Sequence, residues 1–145
     1  MDLEAAIGRA EAAAGRGFDA HLQNHCEAYD RERQGAQVAF DGNPATVQGF
    51  QFGQTHLQMA FCYDNNRVGI PIKGLTGHGY RFLNFWDMDF HMFPYYLMTK
   101  PRQARRLLEY RYNQLPAYRR NAAAWGAKGA QVPWETAVSG AEETA

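Results

Sequence analysis

Cysteine, net charge and long apolar runs are what this sequence has least of. Cys26 and Cys62 are the only thiols in 145 residues. Two are too few for the disulfide framework of a small extracellular fold, and both are expected to stay reduced. Lys and Arg total 15, as do Asp and Glu, so the formal net charge is zero. That balance removes the basic footprint of a protein that grips nucleic acid or an anionic membrane. Charges break every apolar run short of the roughly 18 residues that a membrane-spanning helix needs. The opening Met1-Asp2-Leu3-Glu4 is acidic, without the basic flank and apolar stretch of a signal peptide. No fixed-period repeat is present, which argues against an α-solenoid. A cytoplasmic chain with no nucleic-acid or membrane partner is expected.

What the sequence does have is core material. Hydrophobic residues make up 46% of the chain and aromatic ones 14%, enough for one domain and against disorder. Residues 2–14 read as a helix of good helix formers, punctuated by Gly15 and Gly17. Its apolar face is only Ala, Leu3 and Ile7, so residues 1–17 are expected to pack weakly. Residues 18–33 read as a clearer amphipathic helix, with Phe18, Leu22, Cys26 and Tyr29 on one face. A connector from Gly35 to Gly42 holds one β-like run, Val38-Ala39-Phe40, which alone makes no sheet.

Asn43-Pro44 is a cap followed by a first-turn proline, and a helix is expected from there to about Phe61. Apolar residues on more than one of its sides suggest burial between layers. Asp64-Asn65-Asn66 breaks it. A helix from about Phe85 to Met98 follows, with Pro94 as kink or terminator, and Thr99-Lys100-Pro101 restarts the chain as cap and first turn. Ala104, Leu107, Leu108 and Tyr112 are expected on one side of residues 101–113, with Arg105 and Glu109 paired on the other. A last helix over 116–125 ends at Gly126. Six helices in sequential hairpins and no credible sheet make the class all-α.

Several groupings lack the pattern that chemistry needs. His21 and His25 lie four apart beside Cys26 but have no third ligand nearby, so no metal site is assigned. Arg102, Arg105, Arg106, Arg111, Arg119 and Arg120 are interleaved around two helices, as on a solvated face. Lys73-Gly74-Leu75-Thr76-Gly77 lacks the full phosphate-loop pattern.

The stretch from Ile70 to Pro94 differs, because Asp87 and Asp89 sit inside a run of Phe, Trp, Leu and Met. An unpartnered buried carboxylate costs several kcal/mol. An indole beside an acid suits a pyranose, which offers one face to the ring and its hydroxyls to the carboxylate. An acid that caps a loop or pairs with an arginine is the other reading. Two helical positions differ by about 200° of rotation, so Asp87 and Asp89 cannot both face one cleft. They are therefore not a glycosidase acid–base pair, whose members stand about 6.5–9.5 Å apart across the sugar in inverting enzymes. Asp87, beside Trp86 and sharing a face with His91, is taken to face a ligand, and Asp89 to make a structural contact. Trp134-Glu135 repeats the aromatic-plus-acid pairing after a second loop, so the two pairs are expected to converge.

The segments IPIKGLTGHGYR, FWDMDFHMFPYYL, PRQARRLLEYRYNQLPAYRRNA and GAKGAQVPWETAVSGAEET resemble the catalytic domain of glycoside hydrolase family 65. That family contains maltose, trehalose and kojibiose phosphorylases and related α-glucoside hydrolases. The resemblance spans roughly residues 18–145. It implies an (α/α)6 barrel, of which six helices form about half, acting on α-linked glucosyl disaccharides with inversion. It also implies that Trp86, Asp87, Trp134 and Glu135 hold glucose in the −1 subsite, with Arg81 a further candidate and Asp89 in support. No cofactor is implied, and inorganic phosphate would be a co-substrate only in a phosphorylase. Two departures stand out. Phe82-Leu83-Asn84 replaces the family's usual Gly-His-Val/Ile, so bulky Phe82 should alter the loop backbone or fill part of the pocket. Met88-Asp89 replaces the phosphorylases' Thr-Glu and is more like the hydrolases.

The family's general acid lies downstream of the segment matched here. Residues 1–145 are therefore expected to be the N-terminal part of a catalytic domain, inactive alone and with an apolar flank exposed. The full-length protein is a candidate homodimer. A non-enzymatic helical hairpin module that binds a sugar or a protein is the alternative reading.

Overall fold

Apolar periodicity and cap residues place six α-helices along the chain, in a computed structural model that describes residues 3–36, 38, 41–63, 66–74 and 79–144. They are α1 (Leu3–Arg16), α2 (Phe18–Arg33), α3 (Pro44–Ala60), α4 (Phe93–Thr99), α5 (Pro101–Asn113) and α6 (Leu115–Ala124). A short 3-10 turn at Gly79–Phe82 and a π turn at Met88–Met92 precede α4. Among the described residues the only β pairing is an isolated antiparallel bridge between Asn84 and Thr136. The class is all-α, as expected. None of the described helices is long and apolar enough to cross a membrane. Asp64, Asn65, Ala39, Phe40 and residues 75–78, on which three of the loop readings fall, lie outside the described residues.

The chain divides into two compact units, Met1–Val38 and Ala39–Ala145. In the first, Gly17 takes φ 77° between α1 and α2, a left-handed conformation that glycine adopts without a Cβ penalty. Neither helix has a buried residue. The expected apolar face of α2 is largely open, with Phe18 76% exposed. The reason lies in the partner: α1 offers little but alanine to cover it. His21 Nε2 lies 2.7 Å from the Ala13 carbonyl oxygen, and the His25 ring packs at 4.9 Å on Tyr29.

In the second unit, the Asn43 side chain accepts the Ala45 N–H at 2.9 Å, and Pro44 occupies the first turn of α3. Burial of α3 between layers is not observed, since only Gln58 is buried along it. One side meets the core, through Leu57 and Ala60, and leads into buried Phe61, while Phe52 and Met59 remain exposed. That core comprises Phe61, Ile70, Met88, Tyr96, Ala104, Leu107 and Tyr110. Tyr96 satisfies its hydroxyl on the Leu57 carbonyl.

Helix starts depart from expectation at two prolines. The Phe93 N–H bonds to the Met88 carbonyl, one residue further back than in an α-helix, and Pro94 then sits in the first turn of α4. The wide π turn removes the clash between the proline ring and the carbonyl four residues earlier. At Pro101 the cap is Lys100, not Thr99, whose hydroxyl donates back to Tyr95 O at 2.7 Å inside α4. Along α5, Ala104, Leu107 and Tyr110 are buried, whereas Leu108 and Tyr112 face solvent. The ring of Tyr110 fills the core and turns the i, i+3 row inward.

Two backbone positions set the loop before α4. At Gly69 an added Cβ would lie 2.6 Å from Asn84 Oδ1 and 2.8 Å from both Met88 Sδ and a ring carbon of Tyr110. Tyr80, Arg81 and Phe82 have φ of 61°, 50° and 59°, a left-handed run that costs side-chain-bearing residues roughly 1–2 kcal/mol each. The loop therefore keeps a glycine-like conformation at Phe82 despite the phenyl group. Gly69→Ala is expected to destabilise the fold by about 1–3 kcal/mol through overpacking, read from denaturant midpoints. Phe82→Gly should do the opposite and stabilise it by up to about 1 kcal/mol.

Candidate functional site

The site begins at the β bridge between Asn84 and Thr136. Asn84 N–H donates to Thr136 O at 2.8 Å, and Thr136 N–H donates to Asn84 O at 3.0 Å. In an antiparallel pair, the residue two ahead on one strand faces the residue two behind on the other, on the same side. For Asn84 and Thr136 those residues are Trp86 and Trp134. Their rings meet edge to face, with centroids 4.9 Å apart and planes at 65°, and Trp86 Nε1–H donates to Pro133 O at 2.7 Å. Backbone pairing thus brings the two tryptophans together, while the two acids do not share one hollow.

A hollow of about 190 Å³ opens beside the indoles, lined by Trp86, Asp87, Phe90, His91 and Trp134. Asp87 is half-buried, and among the described residues its carboxylate has no hydrogen-bond or ion-pair partner. Phe90 is 72% exposed and Trp134 50%, so apolar surface and a free acid face solvent together. Glu135 does not line this hollow. Its carboxylate lies 4.0 Å from the Arg81 guanidinium, which also donates to Glu143 O at 3.0 Å. The Arg81 side chain is 64% exposed, so the pair contributes at most about 1 kcal/mol. Arg81 belongs to the left-handed run, where the Tyr80 ring packs against Phe85 and under the Lys73 ammonium.

Asp89 takes a different environment from Asp87. Arg111 donates to both of its oxygens, at 2.6 and 3.3 Å, and also to Phe85 O at 3.1 Å and to the Tyr118 hydroxyl at 3.1 Å. The Tyr118 hydroxyl donates to Gln114 Oε1 at 2.7 Å, and Gln114 Nε2–H donates to Ala137 O at 2.8 Å. This chain of bonds joins the π turn to α5, α6 and the loop after Thr136. Burial opposes the charge on Arg111, but the bonds to Asp89 and Tyr118 outweigh it and hold its titration above the ordinary range. Arg111 is therefore no part of a solvated arginine face.

The second loop has its own clasp. Glu142 accepts the Trp134 N–H at 2.9 Å, the Glu135 N–H at 3.2 Å and the Thr144 hydroxyl at 2.6 Å. Desolvation disfavours its charge, yet the donors from Thr144, Trp134 and Glu135 prevail and lower its titration below the usual carboxylate range. Gly140, at φ 71°, lets the loop lie on α6, where a Cβ would come within 2.8 Å of Ala117 Cβ. Among the described residues no group of three His, Cys, Asp or Glu side chains could hold a metal ion.

Comparison with known proteins places this geometry. Residues 51–145 match the profile of the Glycosyl hydrolase family 65 central catalytic domain. A kojibiose phosphorylase of Thermoanaerobacter brockii is 41% identical over 133 residues, which cover 92% of this chain and 17% of that protein. An alpha,alpha-trehalose phosphorylase of the same organism is 38% identical, with 90% and 17% covered. A kojibiose hydrolase of Mucilaginibacter mallensis is 37% identical, with 89% and 19% covered. A solved structure from the human microbiome, named as a putative kojibiose phosphorylase, superposes with a TM-score of 0.87 at 25% identity over 97% of this chain and 19% of its own. The chain thus spans less than a fifth of the length of these relatives.

Removing Arg111 should leave Asp89 without its partner and free the Phe85 carbonyl. Arg111→Gln is expected to cost about 2 kcal/mol, less than a fully buried pair because Asp89 is partly solvated. In a double-mutant cycle with Asp89→Asn, the combined loss in denaturant unfolding should fall short of the sum.

Proposed function

Because the chain belongs to glycosyl hydrolase family 65, through the central catalytic domain matched by residues 51–145, we propose that it forms part of the −1 glucose subsite of an enzyme that cleaves α-glucosidic bonds of disaccharides with inversion. The observation that carries this reading is the Trp86–Trp134 pair beside Asp87, which has no hydrogen-bond or ion-pair partner among the described residues. The indole surfaces offer an apolar wall to one face of a pyranose, and the Asp87 carboxylate accepts charge-assisted hydrogen bonds from its hydroxyls. Glu135 and Arg81, paired outside the lining of the hollow, are assigned to the same subsite by the family resemblance, and Asp89 serves as structural support through Arg111.

Inversion needs a proton donor on one face of the sugar and a base or phosphate on the other. Asp89 is engaged by Arg111, so it is not free to join Asp87 in that role. The resemblance to the family, whose general acid lies downstream of the matched segment, assigns the proton donor outside residues 1–145. The relatives include phosphorylases and a hydrolase, and inorganic phosphate is the co-substrate in the first case, with no cofactor in either. The cytoplasm is the proposed location.

Titration of the folded chain with kojibiose, followed by tryptophan fluorescence, tests this reading. Saturable quenching is expected, weakened about tenfold or more by Asp87→Asn, the worth of one hydrogen bond to a charged group. Binding indifferent to Asp87→Asn would sink the subsite assignment. Kojibiose cleavage by the isolated chain would show instead that the proton donor lies within it.

A further inference from the structure

We infer that Glu142 is a positioning residue for the −1 subsite: its carboxylate clasps the backbone of Trp134 and Glu135 and so fixes the second indole against the first. The inference rests on the sugar-site reading for its purpose, but its geometry is independent of any ligand. The backbone N–H groups of Trp134 and Glu135 are adjacent donors in a loop with no helix or strand to receive them. Glu142 takes one on each oxygen, at 2.9 and 3.2 Å. The carboxylate is itself held from behind by the Thr144 hydroxyl at 2.6 Å and the Thr144 N–H at 3.3 Å.

The rest of the loop locks this arrangement in register. Glu143 N–H donates to Glu135 O at 2.9 Å, and Asn121 Nδ2 ties Gly140 O to α6 at 3.0 Å. The loop therefore returns on itself with the acid at its centre. On either side of Trp134, the Trp86–Pro133 bond and the Asn84–Thr136 bridge set the approach of the two segments. Trp134 itself is half exposed, and its ring has only Trp86 as an aromatic neighbour among the described residues. Its backbone must be held by something other than core packing, and Glu142 is the group that does so. Loss of the clasp should let Trp134 turn away from Trp86 while the helices, whose core is elsewhere, persist.

Coupled indoles at 4.9 Å give an exciton signal in circular dichroism, read together with helix content. Trp134→Phe assigns that signal to the pair. Glu142→Gln keeps one acceptor but turns the other position into a donor facing a donor. It is expected to lose most of the exciton signal with helix content unchanged, and to bind kojibiose about tenfold more weakly than wild type. Amide exchange in the wild-type chain supplies a readout that needs no variant: the Trp134 and Glu135 amides should exchange slowly. Exchange at solvent-exposed rates, or a Glu142→Gln chain with the exciton signal intact, would overturn the inference. If wild type gives the exciton signal and loses it in Glu142→Gln, yet binds no kojibiose, the clasp stands and the sugar-site reading falls.

Discussion

Two backbone hydrogen bonds, exchanged by Asn84 and Thr136, are the constraint on which the site depends. The residues they join are 52 positions apart in sequence, and no other β pairing occurs among the described residues. A single rung would be marginal in water. Here it survives because both residues are buried, Thr136 completely, where an unpaired N–H or C=O would cost more than the bond yields. Once the rung is fixed, antiparallel register sets Trp86 and Trp134 on the same side, and the Glu142 bonds to the backbone of Trp134 and Glu135 hold the second indole against the first. Gly69 packs so close to the Asn84 side chain that no Cβ fits between them, so the rung is also pressed in place by the core.

Polar contacts then carry that order outward. Arg111 spans from the Phe85 carbonyl to Asp89 and Tyr118, tying the segment on one side of the rung to α5 and α6. Gln114 continues the chain to Ala137, on the other side. Both halves of the site are thus referenced to the same α5–α6 corner. A guanidinium can do this because its donors lie in one rigid plane and reach several acceptors at once. A lysine at 111 would supply the charge without the span.

Helices were the legible part of the sequence, and their environments were not. The boundaries of α2 and α3 follow from Gly17, Asn43 and Pro44, residues whose local chemistry decides a helix end wherever it occurs. Burial depends on what covers a face, which no local pattern contains. Phe18 and Phe52 stand open, and Tyr110 displaces Leu108 and Tyr112 from the core side of α5. The π turn escaped notice because its cause, a proline four residues beyond Phe90, also fits an ordinary kink. Trp86, Asp87 and Trp134 could be picked out as aromatic and acidic residues at loop–helix junctions. Their meeting could not, since a one-rung bridge leaves no alternation to read. Arg111 was hidden among five other arginines, and only the third dimension separates it from them.

The two acids at 87 and 89 show how environment assigns roles to identical side chains. Both lie in the same apolar run, two residues apart, and rotation about the turn sends them to opposite sides. One side presents an arginine braced by a carbonyl and a phenol, so Asp89 is held by bonds that already satisfy it. The other presents two indoles, a phenyl group and an imidazole, and among the described residues none of them donates to Asp87. A half-buried carboxylate beside aromatic faces loses some hydration without a protein partner in return. A polyhydroxyl ligand laid on those rings would supply the missing donors, and the acid would then favour the ligand's hydroxyls over the weaker hydrogen bonds of partial solvation. The Arg111 bonds anchor the turn at Asp89, and Asp87, two residues earlier, lines the hollow beside the indoles.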